Sequence, residues 1–298
     1  MDIVIPFVNC TDKAWLKSML SKYDHKYFKI RQFFDYGTLR YVLRGIDKHM
    51  DADNVFLVVS EVSQVPEYID TSKVKVILHK DFIPEEFLPL FNCNIIEMFL
   101  HKIPGLGSEF IYFNDDMIPV RDIRYDDLFC DGFPRIKFKV NDVNPEWMSS
   151  RIFDISFYEG KNTAKIISGH SIEYSGKSLC PVHGPTAMSR PMMEEISRID
   201  RHNSLLTFYL SKFRSSRNLN QYYWSDVLYF LGKYRESSLD VKYITTVDID
   251  GLEINDLKDY AYLCINDYGT DIHPYSYIID IVKDKLDVIL SEKCKYEK

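Results

Sequence analysis

Two adjacent carboxylates follow a predicted strand. Asp115 and Asp116 come after Asn114, directly behind the apolar run at 110–113. In α/β sheets, ligands bind beyond the carboxyl ends of the strands, and hard carboxylate oxygens suit Mg²⁺ or Mn²⁺ that bridges a diphosphate. Asn and Asp are also the usual residues of a solvated turn. The three residues therefore predict either a metal site or an ordinary turn.

A second Asn-Asp pair, Asn266 and Asp267, follows another apolar run at 260–265. Because both pairs stand at predicted strand ends, they could converge on one site. Taken alone, the second pair indicates a turn.

Two further ionisable residues could serve proton transfer or orientation. His183 lies in the turn 181–185, which is bounded by two prolines and could hold an imidazole for proton transfer. A single loop histidine is more often structural. Glu97 stands in the apolar helical segment 95–99, where a carboxylate either reaches solvent or is placed for a role.

A pair of arginines could bind phosphate. Arg40 and Arg44 lie four residues apart on one predicted helix face, so they could grip a phosphate or pair with nearby acids such as Asp47. The chain has no Walker loop, no Gly-x-Gly-x-x-Gly and no Gly-x-Ser-x-Gly, so redox-cofactor and serine-hydrolase functions lose their usual support.

Composition narrows the function classes further. The 298 residues carry a net charge of −7 with no basic run, which disfavours binding to nucleic acid. No two of the six cysteines have the spacing of zinc ligands, which favours reduced thiols in a cytosolic protein. The 21 Tyr and 19 Phe suit carbohydrate binding, although aromatic residues also fill cores. We find no signal peptide and no apolar run of about 20 residues, so we expect a protein that stays inside the cell.

The elements that would position these residues alternate between strands and helices, which predicts an α/β fold with a mostly parallel sheet. The segment 130–180 lacks a clear period and predicts an irregular insertion, and 185–234 is predicted to be predominantly helical. The final helix is amphipathic, and core packing is favoured over a membrane surface. The predicted strands are 3–8, 55–59, 74–78, 110–113 and 260–265, and the predicted helices are 37–49, 95–103 and 278–290.

Read in order, these segments resemble the conserved regions of the Stealth family. That family comprises bacterial capsular polysaccharide sugar-phosphate transferases and the lysosomal-enzyme N-acetylglucosamine-1-phosphotransferase. Three departures stand out: Asn9-Cys10 replace the usual Asp-Gly, Thr38 replaces a Glu, and Val62-Ser63 replace Asp-Gly. The segments that carry the resemblance are 2–12, 35–46, 64–66, 79–81, 88–97, 101–106, 110–116, 183–185, 212–214 and 263–267.

The resemblance implies a sugar-phosphate transferase with a Rossmann-like core similar to nucleotide-sugar transferases. Residues 1–130 would bind the nucleotide-sugar, 131–182 would be the insertion, and 183–298 would complete the active site of one catalytic unit. The enzyme would move a hexose or N-acetylhexosamine 1-phosphate from a UDP-sugar to a glycan hydroxyl. It would form a phosphodiester in capsular or extracellular polysaccharide and release a nucleoside monophosphate.

The resemblance also implies roles for single residues, with Mg²⁺ or Mn²⁺ as cofactor. His183 would be the general base, Arg214 and Arg40 would stabilise phosphate charge, and Glu97 would orient His183 or the acceptor. Asp116 would serve both catalysis and metal binding. The metal ligands would be Asp115, Asp116 and Asp267, and the substrate-binding residues would be Asn9, Arg40, Arg44, Asn92, Asn114 and Asn266.

The expected partners are a nucleotide-sugar donor and a glycan acceptor. The expected location is the cytoplasm. Peripheral association with the glycan-assembly machinery at the inner face of the membrane is compatible with this expectation. Two alternatives stay open: a metal-dependent glycosyltransferase that releases a nucleoside diphosphate, and a non-catalytic glycan-binding module.

Overall fold

The structure is a computed structural model, and it describes residues 1–22, 33–142, 152–172, 176–200, 212–267 and 274–298. Within these ranges the helices are α1 (Lys13–Leu20), α2 (Thr38–His49), α3 (Cys93–Phe99), α4 (Tyr125–Leu128), α5 (Ile152–Ile167), α6 (Arg190–Ile199), α7 (Gln221–Phe230) and α8 (Tyr275–Leu290). The strands are β1 (Asp2–Pro6), β2 (Asn54–Val59), β3 (Val74–Leu78), β4 (Glu109–Tyr112), β5 (Met117–Pro119), β6 (Phe129–Cys130), β7 (Phe133–Ile136), β8 (Phe138–Asp142), β9 (Lys177–Pro181), β10 (Thr186–Ser189), β11 (Arg235–Glu236), β12 (Val241–Thr245) and β13 (Tyr262–Asn266).

The central sheet has the order β3-β2-β1-β4-β10. Its first four strands are parallel, and β10 joins β4 antiparallel at the edge. The predicted mostly parallel α/β sheet is therefore confirmed. Because the parallel strands end at one edge, the loops that follow β1, β2, β3 and β4 lie on the same side of the molecule.

Alternate residues of the central strands feed two hydrophobic layers. Ile3 and Ile5 belong to the cluster that includes α2 and α8, whereas Val4 belongs to the cluster with α3, α6 and α7. All three side chains are fully buried, and each contributes about 1.5–3 kcal/mol through removal of apolar surface from water. Helices on both faces explain why these strands are nearly continuous apolar runs.

A second sheet has the order β12-β13-β5, and its strand β5 follows β4 of the central sheet along the chain. The strand β5 pairs antiparallel with β13, and β13 pairs parallel with β12. Helix α2 packs closely on β5 at Gly45, where an added Cβ would lie 2.6 Å from the Pro119 carbonyl oxygen. Only glycine allows this approach.

Two regions contain more regular structure than the sequence indicates. The predicted irregular insertion holds the 16-residue helix α5 and the antiparallel pair β8–β9. The predicted helical region 185–234 begins with β10 before α6 and α7. The short strand carries no strong period of its own and forms because the free edge of β4 is available to it. The division into 1–130, 131–182 and 183–298 stays a prediction, although β10 and β13 complete sheets begun by the first part.

In the part of the chain that the structure describes, no helix has both the length and the apolar character needed to cross a bilayer.

Candidate active site

The two Asn-Asp pairs meet where the central sheet passes into the second sheet. Residues 114–116 connect β4 to β5, and the Ile265 backbone N–H donates to the Asp116 carbonyl oxygen at 3.1 Å. This bond holds the end of β13, with Asn266 and Asp267, beside the 114–116 link. The structure thus brings together two pairs that are about 150 residues apart in the sequence.

The electrostatics of this junction favour a cation. Burial, followed by the neighbouring charges of Asp116, Asp35 and Asp267, raises the pKa of Asp115 well above its usual range. Burial and the charge of Asp267 raise the pKa of Asp116 to about 7. Carboxylates crowded in a low-dielectric setting resist ionisation unless a positive charge is present. The junction therefore has the charge that a divalent ion would neutralise.

His183 lies in the turn between β9 and β10, enclosed by two tyrosines. Its Nδ1 contacts the Tyr222 hydroxyl, and its ring lies 5.6 Å from the Tyr243 ring in an edge-on arrangement. Burial, with a smaller effect from Lys139, lowers the pKa of His183 to about 4. The imidazole is therefore neutral at pH 7 and has a lone pair available for a proton or an ion.

Three different donor atoms surround one point of the site. Asp116, His183 and Cys264 each offer one ligand atom, and these atoms lie within 4.8 Å of one another. The Cys264 thiol donates to Asp116 Oδ2 at 3.7 Å. Within the described residues, Asp116 Oδ1 and His183 Nε2 are buried atoms without a hydrogen-bond partner. Buried polar atoms of this kind call for a ligand or an ion.

Glu97 is buried in α3 and connects two parts of the site. Its Oε2 accepts the Gln221 backbone N–H at 2.6 Å, which fixes the first turn of α7 next to Tyr222. Its Oε1 lies 3.0 Å from the Tyr112 hydroxyl, which in turn lies 2.6 Å from Asn114 Oδ1. Glu97 thus reaches His183 through α7 and reaches the 114–116 link through Tyr112. Burial raises the pKa of Glu97 in spite of these hydrogen bonds.

Arg214 is an exposed guanidinium held at the edge of the same site. Its Nη2 donates to Cys93 Sγ at 3.0 Å, and its charge interacts with those of Glu97 and Asp267. Asn92 caps α3 and donates through Nδ2 to Asn218 Oδ1 at 2.9 Å. Asn218 Oδ1 also accepts the Ser215 N–H at 2.7 Å, so Asn92 anchors the segment that carries Arg214.

Asn9 is positioned after β1 by Gln64. The Asn9 backbone N–H donates to Gln64 Oε1 at 2.7 Å, and Gln64 Nε2 donates to the Asn9 carbonyl oxygen at 3.1 Å. The Asn9 side chain accepts from Thr11. These contacts organise the loop itself, and the substrate-binding role of Asn9 stays a prediction.

The two helix arginines have different surroundings. The Arg40 guanidinium lies 4.3 Å from the centre of the Tyr68 ring, and its charge acts on Asp35. Arg44 is buried and pairs with Glu297 at 2.7 Å rather than with Asp47. Arg40 Nε also lies 3.5 Å from Glu297 Oε2, so both arginines contact the end of the chain and Arg40 in addition lies near the acidic junction. A phosphate contact by Arg44 stays a prediction, and its existing partner argues against that contact.

Some contributing residues were not predicted from sequence. Cys264 lies in segment 263–267, but the sequence predicts no metal-binding role for it, because its spacing from the other cysteines matches no metal-binding pattern. Tyr112, Tyr222, Tyr243 and Asn218 join the site through tertiary packing, which leaves no local signal in the sequence.

Comparison with known proteins agrees with the resemblance described from the motifs. Residues 32–136 match the family model described as Stealth protein CR2, conserved region 2, and this range contains Glu97 and the 114–116 link. The match to the Stealth family thus covers residues 32–136 of this chain. A relative that aligns along the whole of this chain is the receptor polysaccharide phosphotransferase WefC of Streptococcus oralis. It is 24% identical over 338 aligned positions, which cover 100% of this chain and 99% of the relative.

Another relative is the capsular polysaccharide phosphotransferase eps5J of Streptococcus thermophilus. It is 32% identical over 145 residues, and the match spans 46% of this chain and 60% of the relative. Among solved structures, mouse xyloside xylosyltransferase 1 in its apo form aligns with a TM-score of 0.42 and 13% identity, covering 89% of this chain and 97% of that one.

Proposed function

We propose that this protein is a Stealth-family enzyme that transfers a sugar 1-phosphate from a nucleotide-sugar to a hydroxyl of a growing capsular or extracellular glycan. The donor would be a UDP-linked hexose or N-acetylhexosamine. The observation that carries the proposal is the meeting of the acidic junction with the uncharged His183 at one edge of the sheet. The relatives named as polysaccharide phosphotransferases support the same reaction class.

The reaction proceeds by attack of the acceptor oxygen on the phosphorus that carries the sugar. A new O–P bond forms, the bond from that phosphorus to the bridging oxygen breaks, and a nucleoside monophosphate leaves with the bonding electrons. His183 Nε2 accepts the hydroxyl proton in the tautomer whose Nδ1–H faces the Tyr222 hydroxyl. Catalysis of this kind depends on positioning and charge stabilisation more than on covalent chemistry.

The carboxylates fit a divalent ion. Asp115, Asp116 and Asp267 would hold Mg²⁺ or Mn²⁺, because their mutual repulsion and the unpartnered Asp116 Oδ1 are relieved by a cation. When bound, such an ion neutralises charge on diphosphate oxygens.

The remaining polar residues position the substrates and the base. Arg214, exposed at the edge of the site, would stabilise charge on the transferred phosphoryl group, and Arg40 would contribute from α2, near Asp35. Asn114 and Asn266 stand beside the carboxylates and can donate to donor oxygens through their amides. Glu97 touches neither substrate in this scheme and acts as a positioning residue through Gln221 and Tyr112.

The released nucleotide tests the proposal. The purified protein is incubated with a panel of UDP-sugars, Mg²⁺ or Mn²⁺ and a glycan acceptor, and the nucleotide and the product's phosphorus signal are identified. We expect UMP together with a phosphodiester in the product.

Release of UDP with no phosphorus in the product would contradict the proposal and indicate an ordinary glycosyltransferase. A protein that binds glycan but consumes no donor would indicate a binding module. The His183→Ala variant serves as the matched control for contaminating activity in the preparation.

A further inference from the structure

One cluster in the site has a donor set that a magnesium enzyme does not need. Asp116, His183 and Cys264 supply an oxygen, a nitrogen and a sulfur within 4.8 Å of one another. They come from the β4–β5 link, the turn after β9 and strand β13, so only the fold brings them together. We propose that these three residues form a binding site for a thiophilic divalent ion of the Zn²⁺ class.

The spacing is close to what such an ion requires. With metal–ligand bonds of about 2.0–2.3 Å, tetrahedral donors stand roughly 3.3–3.8 Å apart. Cys264 Sγ and Asp116 Oδ2 are already 3.7 Å apart. An inward movement of the remaining donor by about 1 Å completes three corners of a tetrahedron, and the fourth corner is left for water.

Two buried polar atoms of these residues have no hydrogen-bond partner in the part of the chain that the structure describes. These atoms are His183 Nε2 and Asp116 Oδ1. The other ring nitrogen of His183 contacts the Tyr222 hydroxyl. A metal-ligating histidine typically makes this kind of contact through its second nitrogen, which fixes the ring and its tautomer.

The donor chemistry selects the ion. Magnesium requires six oxygen ligands in octahedral geometry, whereas thiolate and imidazole favour Zn²⁺ and related ions. Binding converts the Cys264 thiol to a thiolate and releases its proton to solvent, so the charge of the bound site stays balanced. Because Asp116 also belongs to the proposed magnesium site and His183 Nε2 is also the proposed proton acceptor, a bound thiophilic ion excludes the magnesium-bound, transfer-competent state of the site.

Cobalt reports on this site directly and without any assay of transfer, so the test is independent of the proposed function. Co²⁺ is titrated into protein free of Mg²⁺ while absorption is recorded. We expect one tetrahedral ion per chain, with visible d–d bands and a near-ultraviolet sulfur-to-cobalt charge-transfer band. A wild-type spectrum without the charge-transfer band would overturn the proposal.

Variants locate the thiol. Cys264→Ser should remove the charge-transfer band and weaken Co²⁺ binding about a hundredfold, whereas Cys130→Ser, which changes a thiol outside the cluster, should leave both unchanged. Persistence of the band in Cys264→Ser would assign it to another cysteine and contradict the site. Far-ultraviolet circular dichroism establishes that the variants are folded.

Tyr222→Phe provides a test that leaves all three ligands in place. Loss of the hydroxyl that contacts His183 Nδ1 should weaken Co²⁺ binding about tenfold and keep the charge-transfer band. Unchanged affinity would count against His183 as a ligand.

Finally, Mg²⁺ added to the cobalt-loaded protein should reduce the band if Asp116 is shared, and simultaneous binding of both ions would exclude a shared ligand.

Discussion

At the level of single side chains, the burial of His183 determines how it can act. Burial lowers its pKa to about 4, so at pH 7 nearly every molecule holds the neutral form that can accept a proton. The same burial makes His183 a weaker base than a solvated imidazole. As the proposed base, it would therefore depend on its position, which the contacts with Tyr222 and Tyr243 fix.

Replacing this histidine tests its role as the base. His183→Ala should lower kcat about a hundredfold or more, because the acceptor proton no longer has a positioned acceptor. Nucleotide-sugar affinity, measured by titration calorimetry, should change little. The control is His170→Ala, which alters an exposed histidine that follows α5 and lies near Phe230 of α7. Wild-type turnover in His183→Ala would remove His183 from the mechanism.

At the level of elements, a close contact between a turn and a strand positions the histidine. Gly184 follows His183 and packs on β12, where an added Cβ would lie 2.6 Å from Val241 Cγ2. Real Cβ atoms do not approach so closely, so either the turn or the strand must move in Gly184→Ala. A shift of about 1 Å at a catalytic group costs about a hundredfold in rate.

The contact predicts a compensating pair of substitutions. Gly184→Ala should reduce kcat about a hundredfold with little effect on secondary structure, and Val241→Ala in the same chain should restore most of it by removing the obstructing methyl group. Gly251→Ala should leave kcat unchanged, because an added Cβ there meets no atom within 4 Å. Failure of Val241→Ala to rescue would show that the turn is positioned by other contacts.

A buried ion pair joins helix α5 to helix α7. Lys161 on α5 lies 2.5 Å from Asp226 Oδ1 on α7, and both side chains are largely buried. Burial, opposed by the charge of Lys161, raises the pKa of Asp226 to about 6. Because α7 also carries Tyr222, this ion pair links α5 to the helix whose Tyr222 hydroxyl contacts His183.

Breaking the pair from one side should destabilise the protein. Lys161→Met leaves Asp226 as an uncompensated buried charge and should lower the free energy of unfolding by about 3–5 kcal/mol, as measured by urea denaturation. Lys161→Met with Asp226→Leu should recover most of that loss. The exposed pair Lys233–Glu195 is the control, and Lys233→Met should cost less than about 1 kcal/mol. Equal losses in the single and double variants would contradict this account.

The elements also show where sequence reasoning succeeds. The buried strands β1, β2, β3 and β4 were predictable because strands covered on both faces are continuous apolar runs. The position of the pairs at 114–116 and 266–267 after buried strands was predictable, but their meeting was predictable only in outline, because β4 and β13 belong to different sheets that join through β5. The strand β10 and the Cys264 contact were not predictable, since each depends on which distant strand the fold places beside it.

Across the whole molecule, the end of the chain closes against a loop near the site. Glu297 forms an antiparallel bridge with Ile69, and the Lys298 N–H donates to the Tyr68 carbonyl oxygen at 2.8 Å. The Tyr68 ring supports Arg40. Glu297 itself pairs with the buried Arg44 of α2 at 2.7 Å. The last residues therefore brace α2, which carries Arg40 and Arg44, and the loop that carries Tyr68.

This brace should make stability depend on pH. Burial alone would raise the pKa of Glu297, but hydrogen bonds from Arg44 and the Cys294 N–H outweigh it, so the pKa lies below its usual value. A carboxyl with a lowered folded-state pKa adds stability above its unfolded value of about 4.5, and that stability is lost as the pH falls through the folded value. In urea denaturation at pH 7, Glu297→Gln should cost about 1–3 kcal/mol, because Arg44 loses its charge-assisted hydrogen bonds to Glu297 and keeps only Asp287, at 3.6 Å, as a carboxylate partner. The difference from wild type should shrink steadily below about pH 4.5. A difference that stays constant down to pH 3 would show that the Arg44–Glu297 charge pair does not brace the fold.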